Sequence, residues 1–157
     1  APFTEQSVET WRRALEVNLV APFELCRGMG QIMKHSRGAN IINIASIYGQ
    51  FGPDWRMYEN TNMSNPAAYG ASKAGLIQLT KWLSTTLAPD VRVNAISPGG
   101  VFTGQQESFV DAYSSRTPLR RMARYGDFAG GVAFLATEMA EYVTGQVLNV
   151  DGGWGVW

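Results

Sequence analysis

A chain of 157 residues with 45% apolar and 17% charged residues suits one domain with a buried core, not a disordered tail. Thirteen basic residues balance thirteen acidic ones, which argues against a nucleic-acid or anionic-membrane partner, since both demand a basic surface. No apolar run approaches the roughly 20 residues that span a bilayer, and a single cysteine and a single histidine argue against an internal disulfide and a zinc site.

The opening Ala-Pro-Phe-Thr-Glu-Gln-Ser has neither a charged n-region nor an apolar h-region, so no signal peptide is expected. With a lone Cys26, this points to a reducing, cytoplasmic setting. Ser7 is the expected N-cap of a first helix whose apolar face carries Trp11, Leu15, Leu19, Phe23 and Cys26. Pro22 should kink this run or split it into two helices, and Gly38 should end it. Asn40 to Ser46 is β-branched and short, and reads as a buried parallel strand with Ser46 at its carboxyl end. Residues 47–65 read as a long loop, and such loops are commonly functional. Asn65-Pro66 predicts a helix start, and Pro89 its stop near Ala88. Its small residues Gly70, Ala71, Ala74 and Gly75 would allow close approach of another backbone.

Val91 to Ile96 predicts a second strand, broken by Ser97-Pro98-Gly99-Gly100. A short helix is expected around Phe109–Tyr113 and a longer one from Asp127 to Ala140. Gln146 to Val150 reads as a third strand, and Trp154 and Trp157 are candidates for a subunit contact. Alternating helices and strands imply a parallel sheet with helices on both faces. Ligands of such sheets lie beyond the carboxyl ends of the strands. Ser46, Pro98-Gly99 and Asp151-Gly152 all fall at those ends.

Tyr69 and Lys73 are four residues apart in the helix that follows Ser46, so both side chains lie on one face. A fixed positive charge favours a phenolate, which suits proton exchange with an alcohol or carbonyl. Arg120, Arg121 and Arg124 read as a solvated turn, with a phosphate contact as the sharper option.

These pieces together resemble the C-terminal part of a short-chain dehydrogenase/reductase. Asn18 in Asn-Leu-Val-Ala-Pro-Phe resembles the family's active-site asparagine, and Ser46 in Ile-Asn-Ile-Ala-Ser its serine. Tyr69 and Lys73 match the YxxxK pair, and VRVNAISPG over 91–99 resembles the strand and turn that meet the nicotinamide. The resemblance implies NAD or NADP as cofactor, contacted by Tyr69, Lys73, Pro98, Gly99, Val101 and Thr103. It implies hydride transfer to or from a small-molecule alcohol or carbonyl, with Tyr69 as general acid/base, Lys73 tuning it, Ser46 on the substrate oxygen and Asn18 holding a water. A homo-oligomer, dimer or tetramer, is expected of the full-length protein.

Two departures stand out. No glycine-rich phosphate loop is present, so residues 1–157 read as one N-terminally truncated Rossmann-type domain with an apolar strand edge at Ile41–Ile44. Ser46 and Tyr69 are 23 positions apart, and the extra residues resemble members from gene clusters for sialic-acid-like sugars used in flagellin modification. That resemblance implies a sugar-derived substrate contacted by Ser46, Tyr69 and Arg56. A non-catalytic oligomerisation module and a sugar-nucleotide epimerase or dehydratase stay open as alternatives.

Overall fold

The Ser7 hydroxyl accepts from the Thr10 N–H at 3.1 Å and opens the first helix as expected. The computed structural model describes residues 3–157. Helix α1 (Val8–Leu15) and helix α2 (Ala21–Met33) are joined by one wide π-turn over Glu16–Val20. Pro22 therefore widens the run instead of splitting it. The Ala21 N–H reaches back five residues to the Glu16 carbonyl, and Pro22 takes the second position of α2, where no N–H is needed. The helix ends at Met33, ahead of Gly38, whose φ of +71° turns the chain into the first strand.

Strands β1 (Asn40–Ile44), β2 (Arg92–Pro98) and β3 (Val147–Val150) form a parallel sheet in the order β1-β2-β3. Helix α3 (Ala67–Leu87) covers one face through Ile77 on Ala45 and Ala95, with a buried Asn43–Thr80 hydrogen bond of 2.9 Å. Helix α5 (Ala129–Ala136) covers the other, where Leu135 packs among Ile42, Ile96 and Leu148. This is the predicted α/β arrangement, with helices on both faces of a parallel sheet.

The boundaries differ from expectation in ways the contacts explain. Strand β2 runs on through Pro98, because Gly99 N–H still bonds to the Val150 carbonyl and Pro98 needs no donor at the strand's end. Pro66, not Asn65, caps α3, and the Ala67 N–H is taken by the Gln6 side chain at 3.1 Å. The helix expected over 127–140 is broken into α5 and short 3₁₀ turns on either side. Asp127 does not cap it; its carboxylate accepts from the Arg124 N–H at 2.7 Å and pairs with Arg121, which holds it down at about 2. Helix α4 (Glu107–Arg116) is longer than its apolar pattern suggests.

Trp154 also departs from expectation. It lies 1% exposed in the core with Ile47, Met57, Phe109, Tyr113 and Met122, under the carboxyl ends of the strands. Trp157 stays on the surface, its indole N–H on the Arg116 carbonyl. Cys26 is buried and its thiol is pushed up by burial, as suits a small core residue. No helix among the described residues is long and apolar enough to cross a membrane.

Candidate active site

Ser46 follows β1 directly and caps a 3₁₀ turn at Ile47–Gly49. Its Oγ accepts from the Tyr48 N–H at 3.2 Å, which leaves the hydroxyl proton free to point elsewhere. The turn is locked onto the head of α3 by two glycines. A Cβ on Gly49 would lie 2.8 Å from the Lys73 carbonyl carbon, and a Cβ on Gly70 would lie 3.0 Å from the Tyr48 carbonyl oxygen. Nothing larger fits at Gly49, so the Ser46 turn rests on the backbone that carries Tyr69 and Lys73. The close approach expected of the small residues on α3 is therefore made inside the chain by Gly70, and by Gly75 against Leu19.

The Lys73 ammonium sits 5.9 Å from the Tyr69 ring centre, one helical turn along. It donates to the Ile44 carbonyl at 2.8 Å. Ala39 and Ala45 bond to β2, so by parallel alternation the Ile44 carbonyl lies on the other, unpaired edge of β1. Lys73 is half-buried, and burial lowers its pKa from the ordinary 10.5. Between its folded pKa and 10.5, the unfolded chain holds the extra proton, so this group's contribution to stability rises with pH there. Below that window the burial cost is constant. The stability of Lys73→Met relative to wild type, in the full-length protein, should therefore be higher at pH 7.5 than at pH 10.5, as read by urea melts. A difference that does not change with pH would refute the buried-ammonium account.

Asn18 lies in the π-turn. Its side-chain amide donates to Ser72 Oγ at 3.1 Å, and Ser72 donates to the Tyr69 carbonyl at 2.7 Å. The residue four positions on is Pro22, which has no N–H to offer the Asn18 carbonyl. Asn18 and Lys73 line one cavity of about 460 Å³ along the open edge of β1, with Ile41, Ile44, Leu76 and Met29. Ile44 is 50% exposed there, the apolar edge anticipated from the sequence.

The predicted cofactor turn is at the same rim but lines a separate cavity of about 180 Å³ with Asp151 and Tyr113. A Cβ on Gly99 would lie 2.8 Å from the Asp151 Cα, so only glycine fits between the ends of β2 and β3. Val101 makes a single parallel bridge to Ala123, and the exposed Thr103 has its N–H on the Gln105 side chain at 2.8 Å. Two residues that the sequence pattern did not reveal brace this turn. Tyr113 accepts from the Gly100 N–H and fills the space beside Gly99 and Gly100; burial pushes its hydroxyl up to about 12. Gln50 donates to Ser97 and to Asn149, each at 2.7 Å, and so ties the Ser46 turn to β2 and β3. The only available signal was Gln50's place just after Gly49.

The long loop is not slack. Trp55–Tyr58 forms a 3₁₀ turn that buries Met57 in the Trp154 cluster, and the Tyr58 and Tyr48 hydroxyls meet at 2.8 Å. Arg56 is exposed and held by Asp54 at 2.7 Å; Asp54 also meets Arg116, which lies 4.5 Å from the Trp154 ring centre. Arg56 lines a charged cavity of about 380 Å³ with Asp54 and Arg116, in which neither Ser46 nor Tyr69 takes part. Of the arginine run, Arg121 pairs with Asp127 and Arg120 donates to the Ser115 carbonyl at 2.7 Å.

Known proteins resemble this chain in sequence and in fold. The sequence model of a family described as enoyl-(acyl carrier protein) reductase matches residues 1–155. The post-translational flagellin modification protein A of Campylobacter coli is 33% identical over 155 residues, covering 98% of this chain and 60% of that protein. A short-chain dehydrogenase of Leptospira borgpetersenii, solved with bound NAD+, superposes with a TM-score of 0.91 at 40% identity, covering 98% of this chain and 59% of the other. A gluconate 5-dehydrogenase of Burkholderia cenocepacia, solved with NADP and tartrate, gives a TM-score of 0.84 at 28% identity over all of this chain and 60% of the other. The chain thus spans about 60% of the length of these relatives. With the family model matched from end to end and the strand-end residues in place, the chain belongs to the short-chain dehydrogenase/reductase family.

Proposed function

We propose that these 157 residues are the catalytic part of a longer, cytoplasmic NAD(P)-dependent oxidoreductase that interconverts an alcohol and a carbonyl on a small, sugar-derived molecule. The observation that carries the reading is the interlock of Gly49 and Gly70, which holds the Ser46 turn against the Tyr69–Lys73 helix.

The residues present fit the nicotinamide-ribose half of the cofactor. Gly99 and Gly100 line a cavity of about 180 Å³ at the strand ends, and the Lys73 ammonium has three donors, of which one is on Ile44. Those remaining two would hold the ribose hydroxyls, and Pro98, Gly99, Val101 and Thr103 would contact the nicotinamide end. The described residues contain no glycine-rich loop for the adenosine half. The bound cofactor supplies the hydride.

The protein's own part is proton transfer and positioning. Ser46 has its Oγ fixed by the Tyr48 N–H, so its proton is available to the substrate oxygen, where negative charge develops. Tyr69 gives its phenolic proton to that oxygen in reduction and takes it in oxidation. The Lys73 charge stabilises the phenolate left behind. Asn18 is oriented by Ser72, and its carbonyl lacks the usual helix donor, so it can hold a water that links Lys73 to solvent. Arg56 would meet an anionic or hydroxyl substituent lying outside the catalytic cleft.

The direct test is turnover of the full-length protein with NADH and NADPH against a panel of sugar-derived and simple ketones. No oxidation of either cofactor across the panel would overturn the reading. We also infer a homo-oligomer, dimer or tetramer, since Trp82 on α3 is largely exposed beside Ala71 and Ala74 on that helix's outer surface. Light scattering that returned a monomer would remove this inference.

A further inference from the structure

The long loop after Ser46 builds a cavity with a chemical preference of its own. The cavity is about 700 Å³ and lies between this loop and the head of α3. Its walls include Tyr48, whose N–H fixes Ser46, and Gly70, the neighbour of Tyr69. Ser46 and Tyr69 are not themselves in its lining, but residues next to each of them are, and its size is that of a small-molecule site.

The lining is the informative part. Among the described residues that form it there is no Asp, Glu, Lys, Arg or His. Phe51 and Trp55 supply aromatic faces; Asn62 and Asn65 supply amides. Trp55 is 57% exposed, although Met57 two residues later is in the core. The loop does not hide its tryptophan because its own anchors are elsewhere: Met57 in the Trp154 cluster, Tyr58 on Tyr48, and the Asn62 N–H on the Gln106 side chain at 3.2 Å. The charges are sorted to another place. Arg56, next to Trp55, lines the separate cavity with Asp54 and Arg116. An ionised group entering the first cavity would lose its water without a countercharge, which is costly. A purely apolar chain would strip water from the exposed Asn62 amide without replacing its hydrogen bonds.

We propose that this cavity binds the uncharged part of the substrate, a ring bearing hydroxyl or acylamino groups, stacked on Trp55 and hydrogen-bonded by Asn62. The proposal rests on the reading of Ser46 and Tyr69 as the reacting centre. It goes further by naming which substituents are admitted there and by excluding ionised ones from that wall.

The test is ligand-observed saturation-transfer NMR on the full-length protein with three probes: methyl N-acetylglucosaminide, glucuronate and hexanamide. Expected is saturation of the neutral acylamino sugar, with affinity lowered about fivefold or more in Trp55→Ala and also lowered in Asn62→Ala. Both side chains are on the surface, so neither exchange removes core packing. Glucuronate binding as well as the neutral sugar, hexanamide displacing the neutral sugar, no binding of the neutral sugar, or an unchanged affinity in Trp55→Ala would each overturn the proposal. Turnover is scored separately. A wild-type protein that oxidises neither cofactor with any carbonyl of the panel would defeat the dehydrogenase reading, yet would leave the binding comparison as it stands.

Discussion

Tyr69→Phe in the full-length protein should lower kcat by about 10²- to 10⁴-fold, the usual scale of a lost general acid/base. Dissociation of NAD(H), measured by quenching of tryptophan fluorescence, should change by less than about twofold, because the exchange removes one oxygen and no cofactor-binding charge. The geometry gives the reason for expecting this split. Lys73 keeps its hydrogen bond to Ile44 through the backbone-anchored turn at Gly49, and neither depends on the phenol. The Tyr69 carbonyl, not its ring, is what Ser72 and through it Asn18 hold. A phenylalanine therefore leaves the frame standing and deletes only the proton donor. Retention of more than a tenth of wild-type kcat would mean that another group moves the proton. Loss of cofactor binding in parallel with kcat would mean that the ring supports the fold and not the chemistry.

Gly49→Ala is expected to be strongly damaging. Its Cβ would meet the Lys73 carbonyl carbon at 2.8 Å and the Ala74 nitrogen at 2.9 Å. Both are helix backbone atoms, so no side chain can swing aside. Overpacking of this kind costs about 1–3 kcal/mol, and relief must come from sliding the Ser46 turn away from α3. Activity should fall further than the stability loss explains, because Ser46 and Tyr69 are then separated. Gly28→Ala is the matched control. Gly28 is in helix α2 with nothing within 4 Å of its would-be Cβ, and alanine there should stabilise by about 0.4–1 kcal/mol. Urea melts and kcat on the two variants would decide the matter. Equal stability of Gly49→Ala and wild type would show that the interlock is looser than drawn.

The fold was legible because its signals are local. Apolar periodicity in α1 and α2, the β-branched run at Ile41–Ile44 and the proline at 66 each depend on a few adjacent residues. The candidate set was readable for a different reason. Asn18, Ser46, Tyr69 and Lys73 occur in a family order, and their strand-end positions follow from the alternation of helices and strands. What stayed hidden depends on partners far away in the chain. Gln50 shows its role only once Ser97 and Asn149 stand side by side on adjacent strands. Tyr113 is an ordinary helix aromatic until the Gly99-Gly100 turn lands on it. Asp127 looked like a cap for the residues after it and instead serves Arg124 and Arg121 before it. Trp154 looked like a surface anchor, since nothing in Asp-Gly-Gly-Trp says that the tail folds back beneath Tyr48 and Phe51.

The bond from Lys73 to Ile44 has a consequence for the open edge of the sheet. The acceptor it uses belongs to the row of main-chain groups that a further strand beside β1 would claim. In this chain the ammonium takes one acceptor of that row in place of a backbone donor. A charged side chain seated at that point makes the edge a poorer template for pairing with another chain.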